Sequence, residues 1–304
     1  MNHQGGEDIS FHHSQFRGLA VIIINTGQRR GSDRDRDLLQ EMFSYLGFQI
    51  HVLLNQNSKD LSQELKRVSN EQLSDIDCFA VAISTHGIEA QTREKVMEDV
   101  IETADGKIKT KVILEMFADH KCPQLINKPR LFFIQACRGE QLDSGCPMIL
   151  QKVARPEQAE RPEDQADVDT EGNPPPEVQN RNIHKEGARA LATASADDED
   201  ENVPVRPPVC FKDFIVMNAT PPGYFAFRNP INGSRFIRSL REGVCKYAHS
   251  MSLFRTLTKV SGLVAKEESY TPSTPHLHRK KQVPVISSML TKDIYFKPQQ
   301  AKYD

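Results

Sequence analysis

The 304-residue chain has no tryptophan, and its 39 Lys+Arg and 41 Asp+Glu leave a formal charge of only −2. Without an indole, no pocket can be walled by one. Without a global basic field, nucleic acid is not suggested as a partner. No apolar stretch approaches the ~18–20 residues that span a bilayer, so no membrane association is read. The opening MNHQGGEDISFHH lacks the basic-then-apolar plan of a secretory signal. Six cysteines are present (Cys78, Cys122, Cys137, Cys146, Cys210 and Cys245), but their spacings fit neither paired metal ligands nor a dense disulfide framework. These absences point to a cytoplasmic protein with reduced thiols, and to neither a metal nor another cofactor.

What is present is unevenly distributed. Residues 155–203 hold 14 acidic and 5 basic residues. This stretch is therefore strongly acidic, while the rest of the chain is mildly basic. It contains the run PPP (174–176), the run DDEDE (197–201) and no aromatic residue. Such a segment cannot bury enough surface to offset its ordering entropy, so a structureless insert is expected there.

Around the insert, two kinds of apolar pattern alternate. GLAVIIIN (18–25) is a continuous β-branched run, as in strands covered on both faces. Leu38, Leu39, Met42, Phe43 and Leu46 then recur at helical spacing until Gly47. Strands are expected at Phe48–Leu54, Cys78–Ser84 and Leu131–Ala136, with a helix carrying Leu61, Leu65 and Val68 and another near Lys111–Ala118. The stretch EAQTREKVMEDV after Gly87 reads as a long charged loop. Beyond the insert, FKDFIVMNA (211–219) and VPVISSML (283–290) read as strands flanking two amphipathic helices. The alternation argues for an α/β fold with a mostly parallel central sheet flanked by helices. The organisation expected is a short N-terminal segment (1–16), a large catalytic part (17–150), an acidic linker (151–205) and a small part (206–304).

Two expected strands end in reactive side chains, ISTHG at His86 and IQACRG at Cys137. Ligands in open parallel sheets bind beyond the carboxyl ends of the strands. A thiol beside an imidazole can act as a nucleophile, with the imidazole protonating a leaving amine. Backbone N–H groups at Gly87 and Cys137 could stabilise an oxyanion. Each residue alone also has a plainer reading, since a free cysteine commonly plugs a core and a histidine commonly ends a strand in an ordinary turn.

QACRG, with a histidine-glycine pair 51 residues upstream of its cysteine, resembles the signature of the caspase family. RRGSDRD (29–35) resembles that family's Arg-x-Gly-Ser/Thr-Asp turn. PPGYFAFRNPINGSRF resembles its small-subunit specificity segment, and KKQVPVISSMLTKDIYF its C-terminal strand. The resemblance implies a caspase-like fold of a large and a small subunit, executioner-like in its short N-terminal segment. It implies a cysteine endopeptidase that cuts after aspartate in programmed cell death and is activated by cleavage in its linker. Cys137 would be the nucleophile, His86 the general acid/base, and Gly87 and Cys137 the oxyanion donors. Arg29, Gln135 and Arg228 would cradle the substrate aspartate, with Phe227, Asn229 and Arg235 lining neighbouring subsites. Linker cuts would follow Asp167 in DQAD, Asp169, Asp197, Asp198 or Asp200.

Implied partners are proteins with accessible aspartate sites, a second large/small unit in a homodimer, upstream caspases and inhibitor-of-apoptosis proteins. The sequence departs from the family pattern at Thr85, where serine is usual, and at Ala226-Phe227, where Ser-Trp is common. It departs again at Arg235, which takes the place of a subsite tryptophan in executioner members; an arginine there could favour an acidic substrate side chain. The competing reading is a catalytically weak homologue that binds active relatives as a partner or decoy.

Overall fold

The computed structural model describes residues 17–27, 30–71, 73–93, 96–145, 165–166 and 210–296. The N-terminal segment and most of the acidic linker lie outside this set, as do Arg29, Asp167, Asp169, Asp197, Asp198 and Asp200.

The chain enters at β1 (Gly18–Ile24), a strand buried along its whole length. Helix α1 (Ser32–Tyr45) follows and closes at Leu46. After β2 (Phe48–Leu54) comes α2 (Ser58–Ser69), capped by the Asn57 side chain, which accepts from the Asp60 N–H. Strand β3 (Cys78–Ser84) is again wholly buried.

The region expected as a charged loop is instead a small sheet. Strands β4 (Gly87–Gln91), β5 (Met97–Glu102) and β6 (Lys107–Lys109) pair antiparallel. The sequence hid it because its strands are short, rich in charged residues and carry no apolar run. Next come α3 (Thr110–Glu115) and β7 (Arg130–Gln135). The helix is shorter than expected, its chain continuing as hydrogen-bonded turns to Ala118.

Within the acidic stretch, β8 (Gln165–Ala166) makes a two-residue pairing, so this part of the insert departs from the structureless expectation. The small part contributes β9 (Phe214–Asn218), β10 (Phe227–Asn229), β11 (Gly233–Ser234), α4 (Arg235–Tyr247), α5 (Leu253–Lys266) and β12 (Val285–Ser288).

The main sheet has the order β12-β9-β7-β3-β1-β2. All its pairings are parallel except β12 on β9. Because β9 pairs directly with β7, the segments before and after the linker share one sheet. Alternate residues of β1 explain its continuous apolar run. Ala20, Ile22 and Ile24 face the core beneath α1, α4 and α5, while Leu19, Val21 and Ile23 face the core beneath α2 and α3. Each fully buried large aliphatic or aromatic side chain contributes about 1.5–3 kcal/mol relative to exposure. This two-sided burial holds the strand ends in place. Among the described residues, no helix is long and apolar enough to cross a membrane, and no cluster of His, Cys, Asp and Glu could hold a metal.

Candidate active site

The site begins with a register. Strands β3 and β7 pair from Phe79 opposite Arg130 to Ser84 opposite Gln135, an offset of 51 residues throughout. That is also the separation of His86 and Cys137, so each stands two residues beyond the same final pair. Adjacent strands lie about 4.8 Å apart, and the two chains leave the sheet at one level. Contact continues past the sheet, with the Thr85 N–H donating to the Gln135 carbonyl at 3.1 Å. Gly87 explains the next step. A Cβ there would meet the Cys137 carbonyl oxygen at 2.7 Å and the Ala136 Cβ at 2.8 Å, so only glycine lets the two backbones approach this closely.

His86 is half-buried, and its backbone is pinned from outside the sheet. The Glu102 N–H donates to the His86 carbonyl at 3.0 Å. Thr85 Oγ1 donates to the Glu102 carbonyl at 2.9 Å, and Asn25 Nδ2 donates to that carbonyl at 2.5 Å and to Thr85 Oγ1 at 3.2 Å. Asn25 follows β1, Thr85 follows β3, and Glu102 ends β5. One amide therefore ties three strand ends together around the histidine.

Cys137 stands at the rim yet is only 3% exposed. Its Sγ accepts from the Ala226 N–H at 3.3 Å and lies 3.7 Å from the Ala226 carbonyl. The next residue, Arg138, makes a two-pronged bond to Asp99 on β5, Nε and Nη2 donating at 2.9 and 2.7 Å. Gly139, at φ 147°, lies so close to Gly223 that a Cβ would fall 2.4 Å from it. The Gly223 N–H donates to the Arg138 carbonyl at 2.7 Å, and the Gln141 N–H to the Gly223 carbonyl at 2.7 Å. The cysteine loop is thus clamped by β5 on one side and the PPG turn on the other. Elsewhere, burial pushes the thiols of Cys78, Cys122, Cys210 and Cys245 up, which lowers their thiolate content.

Of the expected aspartate cradle, Gln135 is fully buried at the end of β7, and Arg228 on β10 is 2% exposed. Arg228 Nε donates to the Arg30 carbonyl at 2.8 Å, which fastens it to the loop between β1 and α1. Arg29 precedes that anchor in the chain and lies outside the described residues.

The remaining expected subsite residues are already engaged within the protein. Asn229 Oδ1 accepts from the N–H groups of Ile231 and Asn232, closing the turn to β11. The Phe227 N–H donates to Gln282 Oε1 at 2.9 Å. Arg235 heads α4, where the helix dipole disfavours a cation. It is held by the Phe227 ring at 5.0 Å, the Lys280 carbonyl at 3.4 Å and Glu267 at 4.0 Å. Arg235 therefore stands 1% exposed as a paired, stacked cation rather than an open pocket wall.

Asp35 is a residue that the sequence reading left without a role. Fully buried on α1, it accepts from Ser84 Oγ at 2.8 Å and from the Ser234 N–H at 2.7 Å. It links the end of β3 to the start of α4. The available signal was its place on the α1 stripe of Leu38, Leu39 and Met42, where a carboxylate needs a buried partner.

A thiol and an imidazole leaving neighbouring parallel strands at one level, with buried guanidinium and amide groups alongside, make a candidate cysteine-hydrolase site. The comparisons give its family. The Caspase domain model matches residues 17–295, and the chain belongs to the caspase family. Caspase-7 of Gallus gallus is 30% identical over 92% of this chain and 77% of its own length. Caspase-3 of Mesocricetus auratus is 32% identical over 92% of this chain and 83% of its own. The crystal structure of caspase-1 from Spodoptera frugiperda superposes with a TM-score of 0.69 at 27% identity, covering 96% of this chain and 94% of that one. Family membership supports a cysteine peptidase of the caspase type.

Proposed function

We propose that the chain is an endopeptidase that cuts proteins after aspartate in programmed cell death and is activated by cleavage of its own linker. The observation that carries this reading is the shared 51-residue offset, which delivers His86 and Cys137 to one level of the sheet. In this mechanism the Cys137 thiolate attacks the scissile carbonyl carbon, and the N–H groups of Gly87 and Cys137 receive the oxyanion. Removing one such donor typically costs about 10²–10³ in rate. His86 protonates the leaving amine as the C–N bond breaks, then takes a proton from the water that hydrolyses the thioester.

Arg228, Gln135 and Arg29 receive the substrate carboxylate. Such a pocket discriminates strongly, because a side chain without the acceptor leaves buried charge unpaired. Arg235 is already engaged with Glu267, so it adds little attraction for an acidic residue farther from the cut.

Assembly follows from the sheet edge. β12 is its outermost strand, flanked by exposed Val283 and Met289. Pairing of two such edges across a two-fold axis would give a dimer of large/small units, to be checked by analytical ultracentrifugation. Upstream caspases and inhibitor-of-apoptosis proteins are the regulatory partners proposed with it.

The deciding experiment is a peptide library varied at the residue before the cut, incubated with wild-type and Cys137→Ala chains. Turnover confined to aspartate peptides and absent from the variant is expected. Binding without turnover by the wild-type chain would favour the decoy reading, and turnover after basic residues would overturn the aspartate pocket.

A further inference from the structure

The small sheet that follows His86 has an outer edge, and its register says which main-chain groups lie there. Strand β4 is the outer strand in the order β4-β5-β6. Opposite residues of an antiparallel pair alternate between exchanging both hydrogen bonds and exchanging none. His86 stands opposite Glu102, whose N–H donates to the His86 carbonyl at 3.0 Å. At the other end Thr92 stands opposite Val96, and the Thr92 N–H donates to the Val96 carbonyl at 2.8 Å. Between these two, the alternation makes Ile88–Val100 and Ala90–Glu98 the bonded pairs. Gly87, Glu89 and Gln91 then turn their N–H and C=O groups away from β5. The far side of β5 agrees. The Thr103 N–H donates to the Gly106 carbonyl at 2.8 Å, so Ile101, two residues earlier, bonds β6 and not β4.

We propose that the outer edge of β4 docks the part of a polypeptide substrate that follows the scissile bond, which adds to it as a parallel strand. The position of the cut rests on the proteolytic reading above. The occupant follows from continuity: His86 protonates the leaving amine, and β4 begins at the next residue. Gly87 is then both an oxyanion donor and the first rung of a ladder. In parallel register the second residue after the cut stands beside Ile88, donating to the Gly87 carbonyl and accepting from the Glu89 N–H. The fourth stands beside Ala90 and meets Glu89 and Gln91 in the same way. Rungs about 6.7 Å apart match alternate residues of an extended chain. Main-chain bonds give such docking its affinity, and neighbouring side chains give it selection. Ile88 and Val100 are cross-strand partners, half-buried and part of neither core, so they favour an apolar side chain at the second position. The platform is also fixed to the cysteine loop, because Asp99 on β5 holds Arg138 at 2.9 and 2.7 Å.

The test uses the full-length Cys137→Ala chain, so that binding is read without turnover. A fluorescein-labelled Asp-Gln-Ala-Asp-Gly-Leu-Ser-Gly amide is titrated against it by fluorescence anisotropy. Three relatives are titrated beside it: one ending at the second aspartate, one N-methylated at leucine and one N-methylated at serine. In the proposed register the leucine nitrogen faces β4 and the serine nitrogen faces away. Methylation at leucine is expected to weaken binding at least about fivefold, and methylation at serine less than about twofold. Equal effects at the two positions, a truncated peptide that binds as well as the long one, or no binding at all overturns the docking. Ile88→Ala, which touches none of the proposed catalytic groups, is expected to erase a preference of roughly threefold for leucine over glycine at that position. A preference that survives overturns the register. Turnover of the same peptides by the wild-type chain separates this proposal from the reading it rests on. Cleavage that ignores methylation at leucine removes the docking alone. The alternating methylation pattern without cleavage removes the protease and leaves the strand site standing.

Discussion

The two ends of β7 are both lined with buried polar groups, yet they do different work. At the start of the strand, Arg130 is fully buried. Its guanidinium meets Asp119 at 2.6 and 2.7 Å and lies 4.8 Å over the Phe214 ring. Burial pushes this guanidinium down and Asp119 pulls it back. These contacts tie β7 to the turn after α3 and to β9. At the other end, Gln135 and Cys137 converge with His86, Arg228 and the β8 strand from segments far apart in the chain. Polar burial at the first end holds a strand in place; at the second it brings side chains from distant segments to the open end of the parallel strands, where ligands of such sheets bind.

The comparison predicts a separation of effects. Cys137→Ala should lower kcat/KM by on the order of 10⁴-fold or more while leaving the melting temperature nearly unchanged, because only a sulfur is removed. Peptidase assays and calorimetry on one preparation test both halves; residual activity near wild type would remove the cysteine from the mechanism.

Asp119→Ala should do the reverse. It strands Arg130 in the interior, at a cost of about 3 kcal/mol in denaturant unfolding, with little change in KM for the folded fraction. If activity fell and stability held, the division between the two ends of β7 would be wrong.

Arg228→Ala should reduce kcat/KM for aspartate peptides about 10–150-fold, the rate equivalent of a charge-assisted contact of about 1.5–3 kcal/mol. The loss should be much smaller for any weak asparagine substrate, and steady-state kinetics on the two peptides decides this.

Asn25→Ala removes the amide that ties Thr85 to Glu102. A loss of about 1 kcal/mol is expected, appearing mainly in kcat because the tie positions His86 and touches no substrate. A rise in KM with kcat unchanged would contradict that role.

The smallest effect lies at the start of α2. The Ser58 N–H bonds Asp105 and holds its carboxyl below the usual range. A depressed carboxylate stabilises the fold above its unfolded pKa of about 3.9 and loses that contribution as pH falls through its folded value. Asp105→Asn should therefore lower the melting temperature slightly at pH 7, with the gap narrowing under acid. A gap that widens on acidification would reverse the sign.

Much of this molecule is written locally. The runs at 18–24, 78–84 and 131–135 are apolar on both faces and become buried parallel strands, and the stripe from Leu38 to Leu46 becomes α1. A cysteine and a histidine placed just after two such runs were visible as strand-end residues, and the caspase resemblance paired them. What the sequence did not show is the physical cause of that pairing, the β3–β7 register, a relation between strands 51 residues apart.

The same reason hid the rest. Asp35 reaches a backbone donor 199 residues away, Asn25 bonds a carbonyl 77 residues away, and the linker strand pairs through main-chain groups that every sequence possesses. Hydrophobic period is a local signal, since it records which side of one element avoids water. Register, buried polar partnership and strand addition arise only when distant elements are brought together, and the tertiary structure alone decided them.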